Sequence, residues 1–244
     1  MTRFTVLPDA EAVCAAMADR LVESAVKAID EKGIYRIALS GGSTPKTVYP
    51  MILEPRRRDA VDWSRVEFFW GDERTVPPDD PESNFGVAYR MFIAHLPNVR
   101  ADRIHRMQAE APDLDLAAMS YESELRLAFN ARGGEPPAFD FIWLGMGPDG
   151  HTASLFPGCD ALGETERWAV GTWAPFPKAW RMTLTFPVLN AGARVVFAVE
   201  GANKADALRA IRSGGSGMPA ERVSGDQVEW LVDAAATDES AEAA

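Results

Sequence analysis

Apolar residues recur along this chain in two alternating rhythms. A short run, Phe4 to Leu7, reads as a first strand. Val13, Met17, Leu21, Ala25 and Ile29 then return at helical spacing, with Asp9 placed to cap the helix and Gly33 to end it. Ile34 to Leu39 reads as a strand and Val66 to Trp70 as another, after which Ser83 or Asn84 caps a helix carrying Val87, Met91 and Leu96. A further helical face, Leu114, Ala118, Tyr121, Leu125 and Ala128, lies within Asp113 to Arg132. Phe139 to Leu144 is too apolar to leave one face in water, which predicts a buried parallel strand. Met182, Leu184 and Phe186 alternate with Thr183 and Thr185 and predict a half-buried strand, whereas Val195 to Val199, apolar throughout, predicts a central one. Asn203 to Ile211 follows as a helix, Ser213 to Gly217 as a loop and Val228 to Val232 as a last strand.

Strands alternating with helices predict an α/β fold: a doubly wound, mostly parallel, Rossmann-like sheet flanked by helices. The 244 residues are 47% hydrophobic and contain no polar linker, so a single domain is expected over 1–233. An acidic Ala/Glu/Ser-rich tail, 234–244, is expected to be disordered.

Charge and cysteine usage narrow the function classes. The balance of 25 basic and 36 acidic residues gives a net charge of −11, partly from Asp233, Asp238, Glu239 and Glu242 at the chain's end. Such a surface disfavours nonspecific binding to nucleic acid or to an anionic membrane, yet it leaves room for a phosphate where a few Arg and Lys converge. Cys14 and Cys159 form neither a metal spacing nor a disulfide framework, so a cytoplasmic location is expected. The amino terminus has too short an apolar run for a signal peptide, and no stretch approaches membrane-spanning length.

Four segments behind predicted strands carry candidate chemistry. Gly145-Met-Gly-Pro-Asp-Gly-His-Thr-Ala-Ser-Leu-Phe-Pro-Gly158 delivers Asp149 and His151 from a loop in which Gly145, Gly147 and Gly150 permit sharp turns and close approach to a ligand. The same run spells G-x-G-x-x-G, but Pro148 and Asp149 stand where a helix should begin and Phe156-Pro157-Gly158 would stop it, which argues against dinucleotide binding. Ser40-Gly-Gly-Ser-Thr-Pro45 lies between strand and helix. Thr44 reads as the cap with Pro45 at the first helical position, so Gly41, Gly42, Ser43 and Thr44 can receive a phosphate on free amides and hydroxyls. An ordinary capped turn is the bland alternative, and the P-loop spacing is absent.

Gly71-Asp-Glu-Arg-Thr-Val-Pro77 reads as a rigid loop in which Arg74 can pair with phosphate and Asp72 can accept sugar hydroxyls or act as a base, while Glu73 is as readily a structural ion. Arg181 opens the Thr-alternating strand. Lys204 stands in the first turn of its helix, where a cation is unfavourable unless an anion is near. Arg56-Arg-Arg58 reads as a solvated helix end without a role. Ser154 lacks a nucleophile elbow, His95 and His105 fall in or near surface helix and loop, and three histidines in all argue against a zinc site.

These four segments, with Ser83-Asn84 and Gly201-Ala-Asn-Lys204, resemble the 6-phosphogluconolactonase family, which is related in fold to the glucosamine-6-phosphate isomerases and deaminases. The resemblance spans Phe4 to about Asp233 in the family's order; only Cys159 and the tail stand apart. It implies hydrolysis of 6-phospho-D-glucono-1,5-lactone to 6-phosphogluconate in the oxidative pentose phosphate pathway, without cofactor or metal and with the phosphosugar lactone as the expected small-molecule partner. Under it, His151 is the general base, imidazole having an ordinary pKa of about 6.5. Asp149 or Asp72 orients the histidine or the sugar. Gly41, Gly42, Ser43, Thr44, Arg74, Asn84, Gly147, Gly150, Arg181 and Lys204 bind substrate. Two other readings stay open: an amino-sugar phosphate isomerase or deaminase with Asp72 as base, and a non-catalytic sugar-phosphate sensor, which would need a DNA-binding element that has no place in this chain.

Overall fold

The computed structural model describes residues 2–237. β1 (Thr2–Leu7) leads into α1 (Ala10–Lys32), whose N-cap Asp9 accepts the Ala12 N–H and whose C-cap Gly33 takes the left-handed conformation at φ 75°. Next come β2 (Tyr35–Leu39), α2 (Ser43–Ile52), α3 (Pro55–Arg58), β3 (Val66–Trp70), β4 (Asp72–Arg74) and α4 (Asn84–Met91). α5 (Leu114–Ala128), β5 (Phe141–Leu144), β6 (Ala169–Pro175), β7 (Lys178–Leu184) and α6 (Phe186–Ala191) follow. β8 (Val195–Val199), α7 (Ala205–Ser213), β9 (Val228–Asp233) and α8 (Ala234–Thr237) complete the order.

Six strands pair in parallel in the order β1-β9-β8-β5-β2-β3, the doubly wound α/β arrangement that the alternation of elements predicts. The central strands are apolar on both faces because both are covered. Ile37, Leu39, Phe141 and Val196 pack with Val13, Met17 and Leu21 of α1 and with Val48 of α2. Ala38, Ile142, Leu144 and Phe197 pack on the other side with Tyr121 and Leu125 of α5, Met182 of β7 and Leu208 of α7.

The second sheet departs from expectation. β4, β7 and β6 form a three-stranded antiparallel sheet in that order. Asp72–Arg74, read as loop, is its first strand, and Ala169–Pro175 carries no pattern strong enough to have been read as a strand. The segment around Thr183 is not half-buried: Met182, Thr183 and Leu184 are all enclosed, since β7 runs through the middle of the small sheet against the core, and Phe186 already belongs to α6. Gly71 joins the sheets: its N–H donates to Leu39 O at 2.9 Å and its carbonyl accepts from Leu184 N at 2.8 Å.

Smaller boundaries also shift. α5 ends at Ala128, four residues short of Arg132, where Asn130 turns left-handed at φ 49°. Leu96 lies beyond α4 and a short 3-10 turn, Ile93–His95. Arg57 is buried rather than solvated, with Nε on Asp19 at 2.7 Å and Nη1 on Glu54 at 2.9 Å, so the middle of the triple-arginine run ties α3 to α1. The expected disorder from Ala234 is overturned for its first residues: Ala234–Thr237 is a helical turn with Ala236 fully buried. The rest of that tail, 238–244, lies outside the described residues. Among the described residues no helix is long and apolar enough to cross a membrane.

Candidate active site

Parallel strands wound this way leave a crevice beyond their carboxyl ends, and the loops after β2, β3, β5 and β8 all open there. They line a cleft of about 310 Å³ together with β4 and β7. Of the residues singled out from the sequence, Gly41, Gly42, Ser43, Thr44, Asp72, Arg74, Asn84, Gly147, His151, Arg181 and Lys204 line it. The histidine and the Ser/Thr turn therefore address one space.

The loop after β5 is folded around its histidine. Gly147 N–H donates to His151 O at 2.9 Å and Gly150 N–H to Gly147 O at 3.0 Å, closing a tight turn. Within it the imidazole Nδ1 meets Asp149 Oδ1 at 2.6 Å. A carboxylate only accepts, so Nδ1 carries the proton and Nε2 is left as the basic nitrogen. Phe156 lies against the ring at 4.2 Å between centroids, and the side chain keeps 28% exposure, enough for water to reach it. Burial alone would raise the Asp149 carboxyl, but the charge and hydrogen bonds of His151 outweigh it and hold that carboxyl below its ordinary range. A side chain at Gly147 would overlap the imidazole and the Asp149 carboxylate, so glycine is required there.

Gly150 and Asp149 are the exceptions. Gly150 does not line the cleft: it stands at φ 76°, its carbonyl accepts from Ala220 N at 2.9 Å, and Met218 occupies the space beside its Cα. It shapes the turn, whereas the sequence reading places it among the cleft residues with Gly147. Asp149 also stands behind His151 rather than in the cleft wall.

α2 begins two residues earlier than expected, with Gly42 at φ 104° as its N-cap and Ser43 and Thr44 in the first turn. No side chain caps this end, so the amides of Gly42, Ser43 and Thr44 have no acceptor within the helix, and all three residues line the cleft. Gly41 is needed because a Cβ there would strike the Asn84 amide. The Thr44 hydroxyl donates at 2.8 Å to Glu200, a cleft residue at the carboxyl end of β8 that the sequence reading missed. The one available signal was its position directly behind an all-apolar strand.

Lys204 closes a 3-10 turn after Gly201, whose N–H donates to both oxygens of Asp233 at 3.0 Å. Burial lowers the Lys204 ammonium, against the opposing charges of Asp149 and Glu200.

Behind the Asp72 and Arg74 wall, Glu73 is buried and structural. Its buried carboxylate accepts from the N–H groups of Arg74 (2.7 Å), Asn84 and Phe85 (2.8 Å each) and from the Ser83 hydroxyl (3.0 Å), which fixes the start of α4. Asn84 is thereby aimed at Asp72, donating to its carbonyl at 2.9 Å and its Oδ1 at 3.2 Å, while Ser154 donates to Asp72 Oδ2 at 2.6 Å. Ser154 is thus an anchor of Asp72, set by a left-handed Ala153 at φ 48°. Arg74 and Arg181 stand in register across the β4–β7 ladder, and the Nε of each is buried without an acceptor. Burial, then the charge of Arg74, lowers the Arg181 guanidinium from its ordinary value. Among the described residues no cluster of His, Cys, Asp or Glu is arranged to hold a metal ion.

Comparison with known proteins points to one family. The family described as glucosamine-6-phosphate isomerases/6-phosphogluconolactonase matches residues 8–232. A 6-phosphogluconolactonase from a Nostoc species is 38% identical over 236 residues, covering 95% of each chain, and one from a Synechocystis species is 44% identical over 183 residues, covering 75% and 73%. The crystal structure of a 6-phosphogluconolactonase from Thermotoga maritima superposes with a TM-score of 0.81 at 30% identity, covering 96% of this chain and 100% of that one.

Proposed function

The chain belongs to the glucosamine-6-phosphate isomerase/6-phosphogluconolactonase family, and from that premise we propose that its cleft hydrolyses 6-phospho-D-glucono-1,5-lactone by general-base catalysis from His151. The observation that carries this reading is the His151–Asp149 pair at 2.6 Å on the rim of a cleft that also gathers Arg74, Arg181 and Lys204.

A δ-lactone is an activated ester, so a positioned water suffices as nucleophile. Nε2 of His151 takes a proton from that water as its oxygen bonds to the lactone carbonyl carbon. Asp149, bonded at Nδ1, holds the ring in the required tautomer and stabilises the imidazolium that forms. The tetrahedral oxyanion collapses, the bond to the ring oxygen breaks, and the imidazolium returns its proton to that oxygen. The product is the open-chain acid, which ionises in water. Loop amides beside Gly147 stabilise the oxyanion.

The amides of Ser43 and Thr44 and the Ser43 hydroxyl, with Arg74, Arg181 and Lys204, hold the phosphate, and that remote grip places the carbonyl against His151. Asp72 and Asn84 meet sugar hydroxyls. Both Asp72 oxygens already receive donors, from Asn84 and Ser154, which suits a fixed acceptor better than a base that shuttles protons at carbon. Gly150 supports the turn beneath. Two unpaired cysteines, one of them buried, accord with a reducing, cytoplasmic setting.

The test is acid release from freshly generated lactone, with spontaneous hydrolysis subtracted, for wild type beside His151→Ala. Loss of about 10²-fold or more in kcat is expected. A variant with wild-type kcat removes His151 from the mechanism, and ammonia release from glucosamine 6-phosphate by the wild type moves the reading to the isomerase side of the family.

A further inference from the structure

Glu200 presents a difficulty for any cleft that binds a phosphate. It is a carboxylate in the wall of the anion site, next to the amides of α2 and four residues before Lys204. Left free it would repel the ligand. It is not free. Oε1 accepts the Thr44 hydroxyl at 2.8 Å, and Oε2 accepts the Cys14 thiol of α1 at 3.7 Å. One side chain at the end of β8 thereby joins α1, the first turn of α2 and the loop that carries Lys204.

The bond to Thr44 has a chemical consequence. A hydroxyl has one proton, and here it points to Glu200, so what Thr44 Oγ1 can offer a phosphate is lone pairs. The donors left on this turn are the backbone amides and the Ser43 hydroxyl. Those amides lack the side-chain cap that usually fixes the first turn of a helix, and Gly42, at φ 104°, gives the turn little stiffness of its own. The Glu200–Thr44 bond supplies the missing restraint from outside the helix.

We propose that Glu200 is a positioning residue for phosphate binding: by accepting the Thr44 hydroxyl it locks the first turn of α2 with its amides turned into the cleft. This rests on the phosphosugar reading of the site. Thr44 then acts through the same bond and not as a direct ligand. The Cys14 thiol, pushed up to about 12 by burial and by the charge of Glu200, stays protonated as the donor on the far side of the carboxylate.

The experiment is a double-mutant cycle with two readouts: steady-state hydrolysis of the lactone, and binding of 6-phosphogluconate and of inorganic phosphate measured by calorimetry. Glu200→Ala should raise KM and weaken both anions by roughly tenfold, the effect of one lost charge-assisted bond, with kcat within about twofold of wild type. Thr44→Val should reproduce it, and the double variant should lose no more than either single one. Glu200→Gln should restore near-wild-type affinity, because the amide oxygen accepts the same hydroxyl. A merely structural role would lower thermal stability and the active fraction without splitting KM from kcat. Tighter anion binding in Glu200→Ala, or additive losses in the double variant, would overturn the proposal. Should wild type prove inactive on the lactone, the functional reading falls, while the inorganic phosphate titrations still decide the role of Glu200.

Discussion

Arg74 and Arg181 face each other across the β4–β7 ladder, and among the described residues neither has a carboxylate within ion-pair distance. Like charges opposed on a sheet destabilise it, and burial adds to the cost. An arrangement that is unfavourable empty becomes favourable when a dianion arrives. Arg181→Met should therefore raise KM for the lactone by about 30-fold, corresponding to about 2 kcal/mol, while its melting temperature stays level or rises. Equal KM in variant and wild type would place the phosphate elsewhere.

Gly147→Ala tests how tightly the histidine loop is drawn. A methyl group there falls on the imidazole and the Asp149 carboxylate, so the pair must move apart while the strand beneath is untouched. We expect kcat to drop by about 10²-fold, the usual consequence of displacing a catalytic group by an ångström or so, with little change in phosphate affinity.

Asp149→Asn removes the charge that holds His151 in its tautomer, and kcat should fall by roughly 10²-fold. The pair also leaves a mark on stability. Because the folded state holds the Asp149 carboxyl below its ordinary value, the unfolded chain binds that proton more readily. The resulting stabilisation is present above about pH 4, the ordinary Asp range, and is lost as pH falls through the depressed value. Thermal melts of wild type and Asp149→Asn should converge as the solution is acidified through that range. Parallel curves would mean that the pair contributes nothing to folding.

Glu73→Ala strips four donors of a shared buried acceptor, three of them at the start of α4 and one at Arg74. Denaturant titration should show a loss of about 3 kcal/mol or more. KM should rise as well, since Asn84 is held through the same carboxylate, and Glu73→Gln should recover only part of either.

Features governed by neighbours in sequence could be read from the chain alone. Asp9 and Gly33 bracket α1 as expected, Ser83 caps α4, and Val66–Trp70 and Val195–Val199 are strands with the anticipated limits. The site segments were legible because each is a short polar interruption directly behind an apolar strand. What depended on distant pairing was not. β4 and β7 meet through residues more than a hundred positions apart, so nothing local announces that Asp72–Arg74 is extended or that Arg74 opposes Arg181. Thr44 looked like a cap by its residue type, but Gly42 takes that position and the hydroxyl turns to Glu200 instead. Gly150 shares its loop with Gly147 yet serves the turn, a distinction that only Met218 and Ala220, from far along the chain, could make.

The parallel pairing of β1 with β9 sets Thr2 and Asp233 on opposite rims of the sheet. Thr2 enters at the rim remote from the substrate, whereas β9 finishes at Asp233, whose carboxylate already grips the Gly201 turn leading to Lys204. A fusion partner or surface tether joined at the amino end keeps clear of the incoming sugar. A pull transmitted along β9 is felt, through Asp233, by the Gly201 turn that leads to Lys204.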